Sequence, residues 1–170
     1  LRWLEDNCDL GMNLDVPTTL GPEMPTHEEF MKALEQSIFN FEFFEKNRQS
    51  NDLKLYNVLH GENLEYMNIW YDKVKKYKFE GWAVGMKPPF DPMIQALGFC
   101  FLYEKGELDN TYGLHFFGTS GKHVVPTIAY IANKLNKVRI TYDSSSYNIG
   151  SIYRTYYMPL DIGDSLSFGE

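Results

Sequence analysis

At 170 residues, with 44% hydrophobic and 23% charged side chains, the chain has the composition of one globular domain rather than of a disordered segment. Its formal net charge of −7 excludes a surface that coats nucleic acid indiscriminately, because such binding depends on many Lys/Arg contacts to phosphate; any basic surface must be local. No stretch reads as a signal peptide or as an apolar run of ~18 residues, so no membrane span or membrane partner is expected and the cytoplasm is the expected location.

In chain order, Leu1 to Glu5 reads as the end of an amphipathic helix already under way, as though the chain were cut from something longer. Strand-like runs follow at Asp9 to Asp15, Leu53 to His60, Gly81 to Met86, Gly113 to Thr119 and Val138 to Asp143. Helical patterns lie between them at about Thr26 to Gln49, Glu62 to Tyr77, Asp91 to Lys105 and Lys122 to Leu135. Thr26 precedes Glu28 and Glu29, a capping residue ahead of acids in the first turn. Leu64, Met67, Ile69, Trp70 and Val74 supply the apolar spacing of the next helix, and the basic run Lys73 to Lys78 reads as its solvated end. Cys8 and Cys100, far apart in apolar surroundings, read as buried free thiols.

Strands alternating with helices long enough to return the chain for parallel pairing predict an α/β fold, either doubly wound or a (β/α)8 TIM barrel. No glycine-rich dinucleotide fingerprint follows the first strand, which speaks against the doubly wound alternative. A whole barrel needs about 250 residues. Residues 1–170 are therefore expected to form a single domain that supplies about the last five β/α units.

In either architecture the carboxyl ends of parallel strands converge on one rim, where ligands bind. The strand ends here present Asp15, then His60 with Gly61, then Gly85 with Met86, then Phe117 with Gly118, then Asp143. Singly, each has an ordinary explanation: Asp15 before Val16-Pro17 can open a turn, His60 can be a loop histidine, and Asp143 before three serines can cap a turn. Together, two carboxylates with a histidine between them suit nucleophilic or acid–base work on a small polar ring.

Four segments resemble the tRNA-guanine transglycosylases, the queuine and archaeosine enzymes of queuosine and archaeosine formation. Leu14-Asp15-Val16-Pro17 resembles their strand ending in a base-binding acid. Phe79-Glu80-Gly81-Trp82-Ala83-Val84-Gly85 is similar to their Phe-Asp-Gly-Tyr-Ala-(Ile/Val)-Gly segment. His115-Phe116-Phe117-Gly118-Thr119-Ser120-Gly121 resembles Tyr-Leu-Met-Gly-Val-Gly, and Tyr142-Asp143-Ser144-Ser145-Ser146-Tyr147 resembles the Phe-Asp-Ser-Ala-Ser-Tyr of archaeal members.

The resemblance implies a TIM barrel and a transferase that exchanges guanine for a 7-deazaguanine in tRNA, or in DNA as in viral relatives, through a covalent aspartyl-ribosyl intermediate. For a viral protein, the expected location is the host cytoplasm. The resemblance also implies that Asp143 is the nucleophile, that Asp15 binds the base's donor edge, that Gly85 and Met86 offer it backbone groups, and that Phe117 stacks on it. Retention through two inversions follows the logic of a retaining glycosidase.

The chain departs from that pattern at several points. His60-Gly61 stands where the family has Gln-Gly, and Gly85-Met86 where it has Gly-Gly. The family's general acid/base aspartate has no counterpart, so a preceding polypeptide or a homo-oligomer would have to complete the barrel. Its zinc ligands have none either, since Tyr147 to Glu170 contains no cysteine or histidine, and no cofactor is expected in this chain. The alternative function is an inactive barrel fragment used for binding or assembly. Edges left by an incomplete barrel would then need a partner to cover them.

Overall fold

The computed structural model describes residues 1–18, 23–85, 92–118, 124–135, 138–143, 155–156 and 166–167. Its frame is a parallel sheet of five strands, β1 (Leu10–Met12), β2 (Lys54–Leu59), β3 (Gly81–Val84), β4 (Gly113–Phe116) and β5 (Arg139–Tyr142), paired in sequence order. Helices α2 (His27–Asn47), α3 (Leu64–Val74), α4 (Pro92–Glu104) and α5 (Val124–Leu135) make the four crossovers, and α1 (Arg2–Asn7) precedes β1. A doubly wound sheet reverses its strand order at a switch point. Here the order runs from β1 to β5 without reversal, and the sheet curls as half of a barrel wall. Among the described residues a short antiparallel ladder, β6 (Thr155–Tyr156) with β7 (Leu166–Ser167), is the one pairing that the strand pattern of the sequence did not announce.

The helices form where local chemistry and apolar spacing agree. Thr26 closes a capping box with Glu29, satisfying two N–H groups at the start of α2. From there α2 buries Phe30, Ala33, Leu34, Ser37, Phe41 and Phe44, a stripe at helical spacing. The Asn63 side chain accepts from the Tyr66 N–H to start α3, which buries Met67, Trp70, Tyr71 and Val74. Leu64, expected in that apolar stripe, is half exposed in the first turn of α3. Glu107 accepts from the Tyr71 hydroxyl at 2.6 Å and the Trp82 indole at 3.0 Å, tying the chain after α4 to α3 and β3. Together with its desolvation, that bond pushes the Tyr71 hydroxyl well above the usual tyrosine range.

Every residue of β3 and β4 is buried, whereas β5 is exposed at Arg139 and Tyr142, its first and last residues. The ring of Tyr56 lies where Gly81 and Gly113 on the next two strands carry no side chain. The expectation of two buried thiols is corrected. Cys8 is half-buried and Cys100 is exposed on α4, where neighbouring Phe99 and Phe101 are buried. Apolar neighbours in sequence do not fix which face of a helix a residue takes. The basic run Lys73 to Lys78 does lie at the end of α3, with Lys73, Lys75, Lys76 and Lys78 exposed. Among the described residues no helix is long and apolar enough to cross a membrane.

Candidate functional site

Backbone hydrogen bonds carry the sheet one residue past the strands that feed the rim. The Asn13 N–H donates to Tyr56 O, Gly85 to Leu59 O, Phe117 to Val84 O and Asp143 to Phe116 O, at 3.0, 2.9, 3.3 and 3.4 Å. Gly85, Phe117 and Asp143 are therefore placed by the sheet itself. Met86 lies outside the described residues.

At the β1–β2 end of the rim, Asp15 and His60 are in contact. Nε2 of His60 is 2.6 Å from Oδ2 of Asp15, and the two side chains are only 10% and 20% exposed. A carboxylate can only accept, so Nε2 carries the shared proton. The ring meets Trp70 edge-on, with centroids 4.7 Å apart, and Trp70 is anchored by its indole N–H, which donates to Val58 O at 2.8 Å. On the other side the ring passes over Gly85, where any Cβ would collide with it. Gly85 thus has a steric duty to His60 whether or not its backbone serves a ligand. Beyond it, the Thr18 hydroxyl donates to Glu62 at 2.8 Å and links the loops that follow β1 and β2.

At the β4–β5 end, Asp143 projects from the rim with its side chain 60% exposed. Its Oδ1 accepts the Gly118 N–H at 2.8 Å. Gly118 has φ of 65°, the left-handed region that glycine enters without a Cβ penalty. His115 lies beneath: Nε2 is 3.4 Å from the same Asp143 oxygen, longer than an ordinary N–H···O bond, and Nδ1 is 2.9 Å from the Thr141 hydroxyl. Register explains the grouping, because His115 pairs with Thr141 and alternation brings Phe117 and Asp143 to the same face. The His115 and Phe117 rings meet edge to face at 4.8 Å. Gln95 of α4 donates to the Phe117 carbonyl at 3.0 Å, fixing the turn from the helix side. Burial lowers the His115 pKa below the usual histidine value, against the opposing pull of the Asp143 carboxylate, so this imidazole favours its neutral form.

Five of the six expected site residues therefore lie on one rim, in two groups: Asp15, His60 and Gly85 at one end, Phe117 and Asp143 at the other. His115 joins the second group and was not singled out in the sequence. The available signal was its place two residues before Phe117, on the same face of β4. A groove of about 510 Å³ also opens beside Asp15, between Val16 to Thr18 and the Lys32, Gln36 and Phe39 side of α2.

The His, Cys, Asp and Glu side chains among the described residues include no group of three or more that could hold a metal ion. The sequence matches no known protein-family model and no curated protein.

Proposed function

We propose that this chain is part of a base-exchange transglycosylase that replaces guanine by a 7-deazaguanine in tRNA or DNA, with five of the eight units of a TIM barrel. The observation that carries the reading is Asp143. It is an accessible carboxylate at the end of the last strand of a sequentially ordered parallel sheet, with one oxygen held by the Gly118 N–H.

A nucleophilic carboxylate must be oriented but not covered. Among the described residues one backbone donor, on Oδ1, orients Asp143, and its exposure leaves the other oxygen able to reach C1′ of an extruded nucleotide. Phe117, on the same face, provides an aromatic plane for the base, a contact worth ~1–3 kcal/mol. Gly85 leaves room for the His60 ring, which passes over it. The remaining strands of the barrel would come from a preceding polypeptide or a second copy of the chain. The acidic net charge requires any polynucleotide to be gripped by a local basic surface.

The test is incubation of the full-length protein with radiolabelled guanine and either tRNA or duplex DNA, comparing wild type with Asp143→Ala. Incorporation that disappears in the variant supports the reading. Incorporation that survives the substitution removes Asp143 as nucleophile.

A second reading, an inactive barrel fragment used for binding or assembly, is favoured by the exposed edge strand β5 and by the engagement of Asp15 with His60 rather than with open solvent. No incorporation into either polymer would select it.

A further inference from the structure

His60 is constrained on three sides. Asp15 from the end of β1 holds Nε2, Trp70 from α3 packs against the ring edge-on, and Gly85 beyond β3 leaves the space through which the Cε1–Nδ1 edge passes. Of these three neighbours only Asp15 is charged. Glu62, on the loop that follows, is engaged by the Thr18 hydroxyl. With Nε2–H committed to the carboxylate, Nδ1 is the nitrogen left to gain or lose a proton. An acid that fixes a histidine's tautomer and orientation while the other ring nitrogen moves a proton is a recurrent catalytic arrangement.

We propose that His60, oriented by Asp15, exchanges the proton with the base on this rim, a role that rests on the transglycosylase reading above. When the Asp143 carboxylate attacks C1′, the C1′–N bond breaks and its electron pair goes to the departing purine. His60, as imidazolium, gives its Nδ1 proton to that purine, which leaves neutral. In the second half the incoming base displaces the aspartyl oxygen from C1′ through a ring nitrogen and returns one N–H proton to the neutral imidazole. Protons balance over the cycle and no co-reactant is needed.

Geometry is compatible with one base reaching both ends. β2 and β5 are three strand spacings apart, about 14 Å along the sheet, and the curl of the sheet shortens the path across its concave side. Asp15 is then a positioning residue for His60 rather than the acceptor for the base's donor edge.

The test uses the full-length protein and whichever polymer the wild type modifies, with rates measured from about pH 5 to 9, the range in which a histidine switches. His60→Ala and His60→Gln are compared with wild type, with and without added imidazole, and thermal unfolding checks that each variant is folded. The expected result is a fall of roughly 100-fold or more in kcat for both variants. The variants should also lose one limb of the pH profile, and imidazole should partly restore His60→Ala. Should His60→Ala fail to fold, His60→Gln, which keeps a polar side chain of similar reach, carries the test. A folded His60→Gln with the wild-type rate and pH profile overturns the proposal while leaving Asp143 as nucleophile. Absence of incorporation by the wild type itself overturns the transglycosylase reading, and the role of His60 with it.

Discussion

Asp15, at the end of β1, gives one carboxylate oxygen to a buried histidine and is itself mostly covered. Asp143, at the end of β5, takes its nearest donor from the Gly118 backbone and remains more than half exposed. Each acid has a histidine nearby, but His60 is at hydrogen-bond distance while His115 stands off at 3.4 Å and is satisfied by Thr141. The difference teaches how one rim can hold two carboxylates in unlike surroundings. A partner buried beside the acid fixes both groups, whereas a backbone donor orients the acid and leaves it open.

The sharpest way to break this comparison is Asp143→Asn. On the proposed transglycosylase reading it is expected to reduce base exchange by roughly 10⁴-fold or more, on the scale of removing a nucleophile from a catalytic unit. Equilibrium unfolding should change little, because the side chain is exposed. A variant that is inactive and also grossly destabilised would show that Asp143 is structural.

The next effect in size is on the other acid. His60→Ala leaves the Asp15 carboxylate without its partner and opens space against Trp70, and a loss of about 2–4 kcal/mol in denaturant unfolding is expected. If the loss were only a few tenths, the two ends of the rim would be equally loose and the contrast would fail.

Gly118→Ala probes the backbone donor. Placing a Cβ at φ of 65° costs about 1–2 kcal/mol. The same change should disturb the N–H bond to Asp143, so a fall in activity larger than the stability loss explains is the expected signature, read by parallel unfolding and rate measurements.

The smallest effect concerns His115. Its folded-state pKa is lowered below 6.5 by burial, so the unfolded chain binds the proton more readily. The stability that this group contributes is fully present above pH 6.5 and is lost as pH falls from 6.5 through the folded-state value. His115→Phe should remove that component, flattening the stability profile in this window, as urea midpoints at a series of pH values would show.

The elements were largely legible in the sequence. All five strands of the sheet and all four crossover helices form where alternation, helical spacing and caps place them, with ends displaced by at most three residues. These signals are local, and the residues that generate them lie within a turn or a strand of one another. The Thr26 capping box is complete within four residues and needs nothing from the rest of the chain. The two-residue strands β6 and β7 are too short to show a period, and so were not foreseen.

The candidate site was legible only as a set of strand ends. Alternation announced that Asp15, His60, Gly85, Phe117 and Asp143 would follow strands, but did not say which would touch. The bond between Asp15 and His60 joins residues 45 positions apart. Likewise, His115 reaches Asp143 and Thr141 only because β4 and β5 pair with His115 opposite Thr141. A shift of one residue in that register would turn the facing set to the other side of the sheet. Thus the sequence by itself determined the elements and the kinds of group at their ends, through interactions between near neighbours. Which acid is tied and which is open was decided only by the tertiary structure, because long-range strand register and side-chain packing set those distances.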